Sequence, residues 1–201
     1  MYLGSRKNNK LINRAWWERA YALGYSGRGS RGKYRDWKWG IIGRYIPDIS
    51  SVDVIDVGCG NLEFWAGRKC AKYLGIDWSS VIISKNRRLW AGLDFLAQPA
   101  EQYIPDIKAT VVFCFDLLIH IETAAVFRRI LENLCRYSKD LIFVYNWINS
   151  RKTDGRYSFY HPLEEDMDVF QRAGFCLLER HVSSPTWPRG AIYVFKKEID
   201  K

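Results

Sequence analysis

The segment VDVIDVGCGNLEFW, residues 52–65, constrains the fold more than any other part of the sequence. The apolar run 52–57 predicts a buried strand, and Gly-Cys-Gly at 58–60 predicts a tight turn directly after it. The residues behind the turn, 62–71, predict a helix whose first N–H groups point back at the turn. This order indicates either an ordinary tight connection or a site where the backbone approaches a ligand.

From residue 52 onward, apolar strands alternate with helical patterns, which predicts a mainly parallel sheet with helices on both faces. The last two strands have no helix between them, so we expect them to pair antiparallel at the sheet edge. The predicted fold is therefore α/β, a Rossmann-like three-layer sandwich with a seven-stranded sheet. Strands are predicted at 52–57, 72–77, 93–97, 109–115, 140–147, 175–182 and 191–197, and helices at 62–71, 80–91, 121–137 and 163–173.

Residues 1–50 differ in character and predict a basic helical arm or lid ahead of a main domain at 51–201. Residues 1–44 contain eleven Lys and Arg but only two acidic residues, so the +9 net charge of the chain lies in this arm. Such a charge favours an anionic partner, either RNA, an acidic membrane surface or an anionic small substrate, over a merely solvated helix face. The arm's predicted elements are helices at 8–23 and about 33–46, and a glycine-rich loop at 24–32.

Composition excludes several classes of protein. A chain of 201 residues with 48% hydrophobic residues fits one globular domain and is not disordered. No apolar run approaches the about 20 residues of a membrane span, and the N-terminus has no apolar secretory segment. The five cysteines lie far apart without metal-ligand spacing, so we expect reduced thiols in a cytoplasmic protein and no metal site.

A carboxylate ends the second predicted strand, in KYLGIDWSS. Asp77 stands 21 residues after Asp56, where a carboxylate can accept hydrogen bonds from both hydroxyls of a ribose while Trp78 lies against an adenine. The alternative is that Asp77 caps the helix that follows. The glycine turn alone is weaker evidence for a nucleotide, because Glu63 stands where GxGxxG has its third glycine. Together the two turns predict a cofactor site.

These motifs, taken in order, resemble the class I S-adenosylmethionine-dependent methyltransferases. The resemblance lies in VIDVGCG, YLGIDWSS and VVFCFDLLIHI at three strand ends and in the helix, AGF and two strands of the tail, over residues 52–197. It implies that S-adenosylmethionine is the cofactor and S-adenosylhomocysteine the product. Asp56, Gly58, Cys59 and Gly60 would hold the methionine moiety, Asp77 the ribose and Trp78 the adenine, and Cys114 and Phe115 would border the adenosine and the sulfonium.

One position departs from the family pattern. Pro99 stands where these enzymes carry an acid that binds the adenine amino group, which leaves Gln98 or Glu101 as substitutes. The segment DLLIHI resembles small-molecule members of the family in which a histidine follows the fourth strand, which implies that His120 lies near the acceptor as a general base. The alternative is a histidine that orients the start of a helix.

The acceptor pocket is expected over the carboxyl ends of the fourth and fifth strands. Candidate substrate contacts are Tyr145, Asn146, Trp147 and Asn149, and the loop 151–161 with His161. His181 lies in a predicted strand and is expected to face solvent. The Asn-Pro-Pro-Tyr/Phe signature of amino-methylating nucleic-acid enzymes is absent from the sequence.

The sequence therefore predicts a methyltransferase that acts on an O or N atom of a polar, anionic small molecule or saccharide. One alternative is an RNA methyltransferase that binds phosphates through residues 1–44, and another is a non-catalytic binding module with the same fold. The arm leaves two interpretations open, because Trp16, Trp17, Trp37 and Trp39 could stack on bases or pack against the domain. We expect the loop SGRGSRGK to close over cofactor and acceptor as a lid.

Overall fold

The computed structural model describes residues 15–25, 27–150, 157–183 and 189–198. These residues form seven strands: β1 (Asp53–Val57), β2 (Lys72–Asp77), β3 (Asp94–Ala97), β4 (Ala109–Cys114), β5 (Ser138–Trp147), β6 (Phe175–Val182) and β7 (Gly190–Lys197). The strands make one sheet in the order β3-β2-β1-β4-β5-β7-β6. Neighbouring strands from β3 to β5 pair in parallel, and β7 pairs antiparallel with both β5 and β6. The predicted Rossmann-like sheet with an antiparallel end is therefore confirmed.

Helices connect the strands as the hydrophobic periodicity predicts. Their bounds are 15–22 for the described part of α1, Gly32–Tyr45 for α2, Ser80–Leu89 for α3, Ala124–Tyr137 for α4 and Met167–Arg172 for α5. Side-chain oxygens of Ser79 and Thr123 cap α3 and α4 by accepting hydrogen bonds from backbone N–H groups. Residues 8–14 of the first predicted helix lie outside the described residues. Among the described helices, none has the length and apolar character to span a membrane.

The sheet is buried on both faces. On one face α2 packs through Trp39, Ile41 and Ile42 against residues of β1, β4 and β5. On the other face α4 and α5 pack on β4, β5 and β7. The second helix of the basic arm is thus one of the structural layers. The strand order reverses between β1 and β4, which is where open α/β sheets bind ligands.

The helix predicted at 62–71 is wrong, because the structure has only a short 3-10 turn at Glu63–Trp65. Leu62 adopts a left-handed backbone with φ 62° and is buried. Phe64 stacks on Trp39 with 4.7 Å between ring centroids, and the Trp39 indole N–H donates to the Phe64 carbonyl at 2.8 Å. Burying these aromatic rings against α2 outweighs the helical periodicity of the segment.

The prediction that His181 faces solvent is also wrong. Its side chain in β6 is 9% exposed and contacts the end of α2. The Tyr45 hydroxyl lies 2.8 Å from His181 Nε2, and Arg44 lies 3.2 Å from its Nδ1. Burial lowers the pKa of His181, and the Arg44 charge lowers it further against the opposing effect of Glu179. His181 therefore joins α2 to the far edge of the sheet.

Candidate active site

A cavity of about 920 Å³ lies at the carboxyl ends of β1, β2, β4 and β5. Its walls come from these strand ends, from α1, from the start of α2 and from the turn at 27–30. The volume is near the upper end of the about 300–1,000 Å³ typical of small-molecule sites. The residues predicted from sequence that line it are Gly58, Cys59, Gly60, Asp77, Trp78, Phe115, His120, Tyr145 and Trp147.

Asp77 ends β2 with its carboxylate almost fully buried at the cavity wall. Its Oδ1 accepts a hydrogen bond from the Ser79 N–H at 3.0 Å, and its Oδ2 accepts from the Gly60 N–H at 3.1 Å. The Tyr21 hydroxyl of α1 donates to the same Oδ2 at 3.3 Å. Burial raises the pKa of Asp77 to about 6, although these three hydrogen bonds oppose the rise. The three hydrogen bonds therefore fix the orientation of the carboxylate, and its pKa lies nearer to neutral pH than the pKa of an ordinary aspartate.

The glycine turn after β1 has a structural reason for its two glycines. Gly58 has φ +83° and Gly60 has φ +54°, both in the left-handed region that favours glycine, and a Cβ on Gly58 would lie 2.9 Å from the Leu117 side chain. The N–H groups of Gly58 and Cys59 both donate to the Ile76 carbonyl, at 2.7 and 3.1 Å. The Gly60 N–H is bound to Asp77. The turn therefore lines the cavity without a side chain at either glycine. The backbone N–H groups of all three residues already donate hydrogen bonds within the protein.

Asp56 does not line the cavity, contrary to its predicted place beside the methionine moiety. Its Oδ2 accepts hydrogen bonds from the Trp65 indole N–H at 2.9 Å and from the Tyr73 hydroxyl at 3.0 Å. Burial raises the pKa of Asp56 to about 6, while these two hydrogen bonds lower it. Asp56 thus anchors the short turn that replaces the predicted helix.

Five other predicted residues, including Asn149, are also absent from the cavity lining. Cys114 is fully buried in the core. The Gln98 side chain donates to the Gln102 carbonyl at 3.2 Å, while Pro99, Ala100 and Glu101 line the cavity. Asn146 donates to the His161 carbonyl at 2.7 Å, and His161 Nε2 lies 2.9 Å from the Ile121 carbonyl, so both hold the polypeptide in place. Residues 151–156 of the predicted substrate loop lie outside the described residues.

His120 lies on the cavity wall just after β4, in a single 3-10 turn. Its Nδ1 lies 2.5 Å from the Tyr157 carbonyl, which can only accept, so Nδ1 carries the proton. In the neutral ring Nε2 is then the basic nitrogen. Trp17 meets the imidazole edge-on with 5.0 Å between centroids, and Trp16 lies 5.7 Å from the Tyr157 ring. Aromatic residues of α1 therefore enclose His120.

Sequence reasoning missed an ion pair that joins the arm to the end of β4. Lys38 of α2 is 1% exposed, and its ammonium bonds Asp116 Oδ2 and the Gly29 carbonyl. Asp116 has a left-handed backbone with φ 58° and lines the cavity. The signal was present in the sequence, because Asp116 directly follows the predicted strand 109–115, much as Asp77 ends the predicted strand 72–77. Lys38 also lies over the rings of Phe115 and Tyr145, at 5.2 and 5.0 Å.

Trp17 and Trp37 of the arm are partly buried and pack against the core of the domain, which supports the packing interpretation. Trp39 is 6% exposed and packs in the core. Trp16, Trp17 and Trp37 line the cavity, and Trp16 is 40% exposed. Tyr21, Tyr25 and Tyr34 of the same segment also line it. The described part of the arm therefore supplies one wall of the site.

No protein-family model matches the chain. Among curated proteins, the tRNA U34 carboxymethyltransferase of Idiomarina loihiensis is 26% identical over 120 residues. The match covers 53% of this chain and 36% of that protein, so the chain spans about a third of that relative's length.

Solved structures share the fold over nearly the whole chain. Magnesium protoporphyrin IX methyltransferase from Synechocystis PCC 6803, with bound S-adenosylhomocysteine, has a TM-score of 0.68 and 14% identity, covering 94% of this chain and 98% of that one. N-methyltransferase NodS from Bradyrhizobium japonicum WM9, also with S-adenosylhomocysteine, has a TM-score of 0.70 and 12% identity, covering 94% and 100%. The [4+2]-cyclase SpnF has a TM-score of 0.65 and 15% identity, covering 94% of each chain. The chain therefore has the fold of the class I S-adenosylmethionine-dependent methyltransferases, as its motifs predict.

Proposed function

We propose that the protein transfers a methyl group from S-adenosylmethionine to an O or N atom of a polar, anionic small molecule or saccharide. The observation that carries the proposal is the fixed carboxylate of Asp77 in a cavity at the strand-order reversal that His120 also lines. The comparisons support the methyltransferase class. Because the same fold also occurs in a cyclase, the proposal rests on the residues of the site rather than on the fold.

The residues of the cavity fit this cofactor. A carboxylate has about four acceptor sites, and Asp77 uses three of them for Gly60, Ser79 and Tyr21. A ribose hydroxyl can use the remaining site, and a second can replace the Tyr21 hydroxyl. The other residues proposed to contact the cofactor are Gly58, Cys59, Gly60, Trp78 and Phe115, with Glu101 in the region predicted for the adenine.

S-adenosylmethionine supplies a methyl group that its sulfonium already makes electrophilic, so the protein has to position the acceptor and exclude water. Trp16 and Trp17 close the cavity beside His120 and exclude water there. The Tyr157 carbonyl accepts a hydrogen bond from His120 Nδ1, which keeps the proton on Nδ1 and fixes the orientation of the ring. His120 Nε2 then accepts the proton that the acceptor oxygen or nitrogen loses on methylation, a contribution of about 10²–10⁴-fold.

Calorimetric titration with S-adenosylhomocysteine and S-adenosylmethionine tests the proposal. The wild type is expected to bind with micromolar affinity, and Asp77→Asn to bind at least about tenfold more weakly, because one ribose hydrogen bond to a charged group is lost. Asp94→Asn is the matched control, since Asp94 starts the neighbouring strand β3 outside the cavity lining. A wild type that binds neither compound would contradict the proposal and favour the non-catalytic binding module.

RNA is the second candidate acceptor, because the curated relative is named as a tRNA enzyme and the arm is basic. Under this proposal the arm binds phosphates and the cavity receives a single base. Methyl transfer from radiolabelled cofactor into total RNA, compared with transfer into a small-molecule extract, distinguishes the two acceptors. Label in RNA that His120→Asn abolishes would favour the second candidate.

A further inference from the structure

The charged groups that line the cavity are unevenly placed. Asp77 ends β2 and Glu101 follows β3, at the end of the cavity proposed for the cofactor. Glu122 lies ahead of α4, and Asp116 after β4 is paired with Lys38. The cations that line the cavity are Arg28 on the glycine-rich turn, Lys33 on α2 and Arg189 at the start of β7. Because β1 and β4 lie between β2 and β5, the two ends are about 14 Å apart at about 4.8 Å per strand.

Aromatic rings and a cation meet where β5 ends beside the start of β7. Trp147 pairs with Gly190 in the sheet, and the preceding residue, Arg189, places its guanidinium 4.5 Å from the Trp147 ring centroid. Tyr145 lies two residues earlier in β5 and therefore on the same face of the sheet. Trp37 of α2 meets the Tyr145 ring edge-on, with 6.3 Å between centroids. Tyr34 lies one helical turn before Trp37 in α2 and lines the same cavity. We call Trp147, Arg189, Tyr145, Trp37 and Tyr34 the aromatic corner.

The aromatic corner is held by contacts within the protein. Gly190 has no side chain, and a Cβ there would lie 2.5 Å from the Tyr145 hydroxyl oxygen. Burial raises the pKa of Tyr145, while the nearby Arg189 charge opposes the rise, so the guanidinium also acts on the Tyr145 phenol. Arg189 and Tyr34 are exposed, which leaves both able to contact a ligand.

We propose that the aromatic corner binds a methyl acceptor that has a planar aromatic ring and an anionic group, a carboxylate on a free small molecule. This inference rests on the proposed function and narrows its acceptor class. The acceptor ring packs against Tyr34 and Trp37, because the rings of Tyr145 and Trp147 are only 8% and 3% exposed. The planar guanidinium of Arg189 matches a carboxylate with two parallel hydrogen bonds while it remains over Trp147. A neutral saccharide would use the rings but leave this cation without a role.

Binding of matched probes to protein saturated with S-adenosylhomocysteine tests the inference. The probes are 4-hydroxybenzoate, its neutral analogue 4-hydroxybenzamide, glucuronate as an anion without a ring, and uridine 5′-monophosphate as a nucleotide. We expect 4-hydroxybenzoate to bind at least about tenfold more tightly than 4-hydroxybenzamide, because only the benzoate makes charge-assisted hydrogen bonds to Arg189. Glucuronate is expected to bind more weakly than 4-hydroxybenzoate, and chemical-shift titration measures all four affinities.

Substitutions in the aromatic corner test which residues cause the difference in affinity between the probes. Arg189→Gln is expected to remove the preference for benzoate over benzamide, and Tyr34→Ala to weaken both, with S-adenosylhomocysteine affinity unchanged in each. Arg136→Gln is the matched control, since that guanidinium lies 5.0 Å from the Tyr103 ring outside the cavity lining.

Equal affinity for benzoate and benzamide, or a preference that survives in Arg189→Gln, would overturn the inference. Tight binding of uridine 5′-monophosphate alone would overturn it in favour of a nucleotide. If the protein binds S-adenosylhomocysteine but none of the ring probes, the inference about the aromatic corner is wrong and the proposed function stands. Absence of S-adenosylhomocysteine binding would remove the proposed function as well.

Discussion

The Tyr21 hydroxyl occupies a hydrogen-bonding position on the Asp77 carboxylate that a ribose hydroxyl of the proposed cofactor would use. The Tyr21 O–H donates to Asp77 Oδ2 at 3.3 Å, so a ribose hydroxyl competes with it. We expect Tyr21→Phe to lower the Kd for S-adenosylhomocysteine by about tenfold, because a bond to a charged group no longer has to be exchanged. Calorimetry on wild type and variant measures this change.

The matched control for Tyr21→Phe is Tyr45→Phe, which removes a tyrosine–carboxylate hydrogen bond to Glu179, 2.8 Å long, away from the cavity. That variant is expected to bind S-adenosylhomocysteine as the wild type does. A Kd that rises in Tyr21→Phe would instead mean that the hydroxyl stays in place and contacts the cofactor itself.

The raised pKa of Asp56 predicts that the free energy of unfolding depends on pH. The sequence does not show this dependence, because it arises from burial of the side chain. Its folded-state pKa, about 6, lies above its ordinary value of 3.8, so the neutral carboxyl stabilises the fold at low pH. That stabilisation is complete below about pH 4 and is lost as the pH rises through about 6. A shift of two pKa units corresponds to about 3 kcal/mol in the free energy of unfolding.

We expect Asp56→Asn to lose less stability than the wild type between pH 4.5 and pH 7.5. Urea unfolding at the two pH values measures the difference in the free energy of unfolding. Both proteins contain Asp77, whose pKa burial also raises, so subtracting the two pH profiles isolates Asp56. Parallel profiles would show that Asp56 titrates alike in the folded and unfolded chains.

Residues at or near strand ends were the most predictable part of the cavity lining. Asp77, His120, Tyr145 and Trp147 line the cavity because the carboxyl ends of parallel strands face one edge of the sheet. Asp56 was misplaced, because side chains alternate along a strand and its carboxylate turns towards Trp65. The direction of one side chain depends on partners far away in the sequence, which a strand pattern does not specify.

At the scale of elements, the strands and most helices follow from periodicity, and the segment after the glycine turn does not. Leu62, Phe64 and Trp65 have a spacing that suits a helix, but all three are buried around Trp39 of α2. The contact joins segments about 25 residues apart, and its aromatic burial decides the local backbone. No pattern within 62–71 contains that information.

The turn at 27–30 is expected to depend on Gly29. A Cβ at this position would overlap the Asp116 carboxylate, which is paired with Lys38, so Gly29→Ala must displace either the turn or that ion pair. We expect the Kd for S-adenosylhomocysteine to rise by about tenfold, since the turn lines the cavity and positioning is lost. Trypsin is expected to cut faster after Arg28 and Arg31, and cleavage rates with and without ligand measure the loosening.

Gly43→Ala is the matched control for Gly29→Ala. Gly43 lies inside α2 with open space around its Cα, so alanine is expected to stabilise the helix by about 1 kcal/mol. Its ligand affinity and cleavage rate are expected to match the wild type. Unchanged affinity in Gly29→Ala would show that the turn does not contribute to the cofactor site.

For the molecule as a whole, the fold lowers the free positive charge that the sequence places in the arm. Among the described residues of the arm, Arg31, Lys38 and Arg44 form ion pairs with Glu63, Asp116 and Glu179 of the main domain. Such pairing is a tertiary property, which a count of charges along the chain cannot show. The pairs also leave fewer cations for the phosphates of an RNA.

The dependence of RNA binding on salt therefore separates the two proposed acceptors. Each phosphate contact to a single strand steepens the plot of log affinity against log salt by about 0.7. We expect a slope no steeper than about −2, corresponding to fewer than about three phosphate contacts, for labelled single-stranded RNA followed by fluorescence anisotropy. A slope of about −4, reduced when Arg28 and Lys33 are both changed to Gln, would mean that the arm grips an RNA backbone across several nucleotides. The cavity would then be the place where one base of that RNA is methylated, and the aromatic corner would hold a nucleobase in place of a free aromatic carboxylate.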